Sequence, residues 1–227
     1  MRLFFLSIAL LISNKILSKN ISVTLSFKKG EVTVERKQKK LKVKNKMILM
    51  LKDKIKTGAK SLALIRIKTS NSTQTLKMEE NSEIKLSQLS LSKQTTELMR
   101  GGTFLYLKSK LREEMKKPQV VLKTKSVSMA VRGTEFFASY GPKGFENDFW
   151  MCVNEGQVKV KTKDEKRGVI VNEGEGVQIK KGASLEKPRP YEWTKKLNWN
   201  VNPKKGNIMN SVDLGDFYND LLDVDYD

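Results

Sequence analysis

From Val23 to Ile179, apolar residues recur at every second position, in short runs set apart by glycine. The runs are Val23-Leu25-Phe27, Val32-Val34, Leu41-Val43, Leu62-Leu64 with Ile65-Ile67 beside them, Ile84-Leu86, Leu89-Leu91, Val127-Met129-Val131, Val158-Val160 and Val177-Ile179. A strand sends successive side chains to opposite faces, so this period marks strands with one buried and one wet face. Gly30, Gly58, Gly101-Gly102, Gly156, Gly174-Gly176 and Gly182 fall between or within the runs, where the chain must turn. The predicted class is all-β. Helical spacing is confined to two places. Leu107, Leu111 and Met115 stand four apart and stop at Pro118, which predicts a short helix, and Tyr191 to Trp199 suggests a second.

Val153-Asn154-Glu155-Gly156 recurs 18 residues later as Val171-Asn172-Glu173-Gly174, and an alternating strand follows each glycine, as it does after Gly30. A repeated turn-plus-strand unit suits a β-solenoid coil or a stack of hairpins, because each unit buries its apolar face on the next. Recurring hairpin chemistry in an ordinary β-sandwich would leave the same trace.

Composition removes most enzyme chemistries. The chain of 227 residues has no histidine and one cysteine, Cys152. It therefore holds no Ser-His-Asp or Cys-His centre, no histidine metal site, no intrachain disulfide and no thiolate cluster. Cys152, flanked by Trp150-Met151 and Val153, fits a buried core thiol. Ser-x-x-Lys occurs at Ser26/Lys29, Ser82/Lys85, Ser90/Lys93 and Ser184/Lys187, no more often than this serine and lysine content produces by chance. Lys56-Thr57-Gly58 imitates a penicillin-recognition motif, but lies too close to Lys29 and lacks the Ser-Asp-Asn element between. No catalytic residue, metal ligand or cofactor is expected.

Arg2 and the apolar-and-serine run Leu3 to Ser13 form the n-region and h-region of a secretory leader, with cleavage expected after Ser18. The run falls short of the ~20 residues that cross a bilayer, and no later stretch reaches that length. A periplasmic or secreted protein without a transmembrane helix is expected. Charge is divided unevenly. All 44 bases and 19 of the 25 acids lie in residues 1–210, a net of +25, whereas the last 17 residues hold six aspartates and no base. Lys40, Lys42 and Lys44, and again Lys159, Lys161 and Lys163, sit at period 2 and predict solvated strand faces. Stacking aromatics are not interleaved with them, so nucleic acid is not the expected partner. Anionic envelope polymers or lipid head groups suit the charge better.

Leu51-Lys52-Asp53-Lys54-Ile55-Lys56-Thr57-Gly58, followed by Ser61-Leu62-Ala63-Leu64-Ile65, resembles the early stretch of FecR-type domains. Val131-Arg132-Gly133-Thr134-Glu135-Phe136 matches that family's most recognisable string. Val153 to Val158 and Gly174 to Ile179 resemble its following and closing stretches, in order, over roughly Gly30 to Lys180. The resemblance implies an all-β, solenoid-like domain that binds or organises rather than reacts. The family's best-known members are envelope signal transducers, with a cytoplasmic anti-sigma segment, one membrane helix and a periplasmic sensing domain. This chain is expected to be a stand-alone exported form. A role in sigma-factor regulation would then require a separate membrane-spanning partner, acted on in trans.

Within the motif, a glycine inside a strand pattern predicts a bulge or close backbone approach at Gly133. Arg132 and Glu135 flank it, placed to form an ion pair or to hydrogen-bond the turn, and Phe136 and Phe137 should face opposite ways. A structural role is expected, with residues 131–136 also the candidate contact for a partner. At the other end of the chain, Leu214, Phe217, Tyr218 and Leu221 fall at i, i+3, i+4, i+7, one apolar stripe among aspartates. They are the candidate tail contact. The expected organisation is a signal peptide at 1–18, a β domain at 21–182, a linker with a short helix at 183–210 and an acidic amphipathic tail at 211–227. The expected partner is another envelope protein or an anionic envelope polymer.

Overall fold

Alternation becomes strand in the computed structural model, which describes residues 21–109, 119–141, 147–163, 167–180 and 184–210. In chain order the strands are β1 (Ile21–Lys29), β2 (Val32–Arg36), β3 (Lys39–Leu41), β4 (Met47–Ile48), β5 (Lys54–Thr57), β6 (Leu62–Thr69), β7 (Ser72–Met78) and β8 (Glu83–Leu89). There follow β9 (Lys93–Ser109), β10 (Gln119–Lys123), β11 (Val127–Tyr140), β12 (Phe149–Thr162), β13 (Val169–Asn172), β14 (Glu175–Ile179) and β15 (Arg189–Pro190). All are hydrogen-bonded into one sheet that folds over on itself. The all-β expectation holds.

Two layers result because β9, β11 and β12 change partners halfway along. The first half of β9 pairs with β8 and β10, the second with β7 and β11. The first half of β11 lies on β10 and the second on β9, while β12 meets β14 before Gly156 and β13 after it. One layer therefore runs β4-β1-β6-β7-β9-β11-β12-β14-β15, the other β3-β2-β5-β8-β9-β10-β11-β12-β13. Their facing sides share one core, from Val23, Leu25, Ile65, Leu105, Phe136 and Met151 on one layer to Val34, Ile55, Leu86, Leu122, Met129 and Val160 on the other.

Each passage between layers falls at a residue with left-handed backbone. Gly30 (φ 70), Lys60 (φ 51), Asn81 (φ 52) and Gly101 (φ 83) form a row of arches at one end of the strands, and Gly133 (φ 59), Gly156 (φ 83) and Gly174 (φ 79) a second row at the other, since Gly101 pairs with Tyr140, the end of β11 far from Gly133. Buried hydroxyls satisfy the amides that the arches leave unpaired. Ser61 Oγ accepts from Glu31 N at 2.8 Å, Thr57 Oγ1 from Ser82 N at 3.0 Å and Ser82 Oγ from Gly102 N at 2.9 Å. The repeated Val-Asn-Glu-Gly marks two neighbouring arches, the bend of β12 and the turn from β13 to β14, which meet where Gly174 N donates to Val153 O at 2.9 Å. Neighbouring arches run in opposite directions, and β9–β10 is the parallel pair among the described strands, so the stack is not a succession of parallel coils.

Two sequence expectations need correction. Leu107 lies in β9 opposite Gln74, not at the start of a helix, and Leu111 and Met115 lie outside the described residues. A spacing of four is also an even number, so it fits one face of a strand as well as one face of a helix. Of Lys40, Lys42 and Lys44, only Lys40 is in a strand, because β3 ends at Leu41. The expected face is present on β12, where Lys159 and Lys161 are exposed. The outer side of the second layer also carries cross-strand pairs, Lys54–Glu35, Lys56–Glu83 and Lys85–Glu97, at 3.6, 3.2 and 3.7 Å. Pairs this exposed add well under 1 kcal/mol each and mainly fix register.

Candidate interaction surfaces

The string 131–136 builds a corner. Val131 is buried in the core, and the register with β12 shifts between Arg132 and Glu135. Gly133 has φ +59 and a Cβ there would meet nothing within 4 Å, so its conformation, not close packing, demands glycine. The buried Thr134 lies against Gly156, whose ideal Cβ would stand 2.7 Å from Gly133 O and 2.8 Å from Thr134 Cγ2. Glu135 accepts from Asn154 Nδ2 at 3.2 Å, and half-burial raises its carboxyl above the usual range. Phe136 enters the core while Phe137 faces the other way, as alternation requires. The side chain of Arg132 lies outside the description, as do Leu214, Phe217, Tyr218 and Leu221.

Phe137 points to the outer side of the first layer, and that side is not wet. It carries Phe104, Tyr106, Phe137, Trp150 and Cys152, with Leu62 and Leu64 further along. Phe104 and Phe137 meet edge-on at 4.6 Å between centroids, and Phe137 and Trp150 lie tilted to one another at 4.9 Å. Residues 184–210 lie across this face. Their short 3-10 turn (Glu192–Lys196) falls within the stretch expected to be helical, and Tyr191, Leu197, Trp199, Val201 and Ile208 cover the aromatics and the two leucines. The stretch expected as a linker is thus a packed strap. Asparagines hold its backbone: Asn198, Asn200 and Asn202 side-chain oxygens each accept from the amide two residues on, at 3.0, 2.8 and 3.1 Å.

Under the strap sits a buried charge pair. Lys77, on β7, is fully buried, with Nζ 3.9 Å from the Phe104 ring centre and 3.5 Å from Glu79 Oε1. It donates to the strap carbonyls of Asn198 and Ile208, the latter at 3.1 Å. Tyr106 Oη donates to a third, that of Trp199. Burial pulls the Lys77 ammonium down to about 8 against the attraction of Glu79, and burial likewise raises the Glu79 carboxyl. No sequence signal marked Lys77, because other strand lysines are solvated, and the strap carbonyls it bonds lie more than a hundred residues away.

Cys152 is buried beneath the same strap, and desolvation pushes its thiol far above the ordinary range. The native thiol is expected to resist a charged aromatic disulfide reagent and to react fully once the chain is unfolded in urea. A fast stoichiometric native reaction would show that the strap leaves it open.

Beside the bend of β9 at Gly101, a cleft of about 600 Å³ opens between Arg100 on β9, Lys123 and Lys125 at the end of β10, and Lys163 after β12. Tyr140 and Asn147 line it, joined at 3.2 Å, with Met99 half-exposed and Glu97 the acid among the lining residues. Among the described residues no group of three or more acidic, histidine or cysteine side chains converges as a metal site would. No helix among them is long and apolar enough to cross a membrane.

Residues 53–159 match the family model described as FecR protein, a span that includes the corner at 131–136 and parts of both layers. No curated protein matches the chain. Two crystal structures of a candidate anti-sigma factor from Parabacteroides distasonis are similar, with 12% identity and a TM-score of 0.44 over 56% of this chain and 55% of that one. The similarity thus spans about half the length of that protein.

Proposed function

We propose that this chain, whose residues 53–159 are a FecR domain, is an exported, non-enzymatic binding module of the cell envelope. Its partner is a protein of a cell-surface signalling system, met in trans. The family match carries the reading. It is supported by the absence of histidine, by a single thiol sealed under the strap and by the leader-like run from Leu3 to Ser13. A second reading, binding of an anionic envelope polymer, is favoured by the cleft lined by Arg100, Lys123, Lys125 and Lys163. Crosslinking a C-terminally tagged copy in intact cells, followed by fractionation and mass spectrometry, separates them. Recovery from the periplasm joined to one membrane-spanning regulator or transporter, and stable to a high-salt wash, is the expected outcome. Wall or lipopolysaccharide material released by salt would move the assignment to the polymer, and an unprocessed cytoplasmic product would overturn export.

A further inference from the structure

Residues 47–51 are five consecutive apolar side chains, Met-Ile-Leu-Met-Leu, with lysine at each end. Lys46 (φ 62) and Lys52 (φ 71) both have left-handed backbone, so a sharp turn stands on either side of the run, which begins as the edge strand β4. Leu49 is buried in the core, whereas Ile48, Met50 and Leu51 are 67%, 52% and 48% exposed, the three most exposed large apolar side chains among the described residues. A loop free to rearrange would fold them inward, but this one is pinned. Asp53, fully buried, accepts from Met50 N at 2.8 Å and takes both prongs of the Arg36 guanidinium, at 2.8 and 2.7 Å. Arg36 also donates to Ile48 O at 3.1 Å. Leu49 N donates to Val23 O and Lys52 N to Leu86 O, at 2.9 and 2.7 Å.

The chain from residue 37 to residue 52 carries charge of one sign only. Lys37, Lys39, Lys40, Lys42, Lys44, Lys46 and Lys52 are exposed, and no acid occurs from residue 37 to residue 52. The next carboxylates along the chain on either side, Glu35 and Asp53, are engaged by Lys54 and Arg36. Lysines often guard a sheet edge such as β4, but guarding an edge does not place Ile48, Met50 and Leu51 in water. Protein interfaces exclude lysine from around their apolar centres, and two copies meeting here would bring like charges together. A rigid apolar tip inside a lysine collar matches a different partner.

We propose that this loop docks on an anionic phospholipid surface. Ile48, Met50 and Leu51 enter the boundary between head groups and acyl chains, and the collar lysines meet lipid phosphates. This contact is separate from the protein contact proposed above, and lipid vesicles report it without that partner.

The test places an environment-sensitive dye on the full chain at Leu51→Cys, and on a control at Leu91→Cys, with Cys152 buried and out of reach. Vesicles of phosphatidylcholine with phosphatidylglycerol are expected to blue-shift the dye at position 51 and to leave it unchanged at position 91. Phosphatidylcholine alone should give at least tenfold weaker binding. In the labelled protein, Ile48→Ser with Met50→Ser, or Lys42→Gln with Lys44→Gln and Lys52→Gln, should each weaken the anionic titration about tenfold or more. Circular dichroism confirms that each variant is folded. No shift at position 51, an equal shift at 91, or a shift with the serine variant equal to that of its parent would overturn the proposal. The last outcome would leave only adsorption by net charge. A concentration-dependent shift without vesicles would assign the loop to self-association and overturn it too.

Discussion

Alanine at Gly156 is expected to lower stability by about 2–4 kcal/mol, read as a fall in the urea midpoint with an unchanged slope. Two costs combine there. The backbone at φ +83 costs an L-residue about 1 kcal/mol, and the new Cβ would stand 2.7 Å from Gly133 O and 2.8 Å from Thr134 Cγ2. Neither neighbour is the free end of a flexible side chain, so the corner between β11 and β12 must open. The internal repeat provides a matched control. Gly174 ends the second Val-Asn-Glu-Gly with φ +79, and a Cβ there meets nothing within 4 Å. Gly174→Ala should therefore cost only the backbone part, about 1 kcal/mol. Equal losses at the two sites would mean that β11 and β12 do not pack at that corner as described.

That pair also shows what a sequence does and does not disclose about this fold. Alternation gave the strands and glycine gave the bends, since both are local consequences of strand pleat and backbone sterics. Which half of β9, β11 or β12 belongs to which layer was hidden, because it depends on pairing across long separations and not on any short pattern. The helix expected from Leu107 failed for a related reason: its spacing fits both periods, and pairing with β7 decided between them. The strap was illegible in another way. Leu197, Trp199 and Val201 alternate with Asn198, Asn200 and Asn202, a strand-like period, yet the asparagines bond their own backbone and no ladder forms. Of the candidate contacts, residues 131–136 proved legible as a corner, through the glycine and the two phenylalanines. The apolar tip at 47–51 was legible only as a run without alternation; its exposure follows from the Arg36–Asp53 lock, which no sequence spacing marks.

Lys77→Met should loosen the strap before it unfolds the sandwich. Removing the ammonium leaves the Glu79 carboxyl buried without its counter-charge, and the carbonyls of Asn198 and Ile208 without their donor. Breaking a buried pair from one side costs about 3–5 kcal/mol, and Glu79 relieves part of this by holding its proton, so about 3 kcal/mol is expected. Adding Glu79→Gln should recover part of the loss, because the two sites act on one interaction. The pH dependence has a definite sign. Lys77 titrates near 8 when folded and near its ordinary 10.5 when unfolded, so between those values the unfolded chain holds a proton that the folded chain has released. Stability conferred by this site therefore rises with pH across that window, and the gap between wild type and Lys77→Met should widen from pH 8 to 10.5. Cys152 supplies the local reading. In Lys77→Met its thiol should react with the disulfide reagent below the denaturant concentration at which the sheet's circular dichroism changes. Reaction only in step with global unfolding would show that the strap is part of the sandwich's single cooperative unit, and that Lys77 stabilises the whole molecule instead of holding a separable cover over its aromatic face.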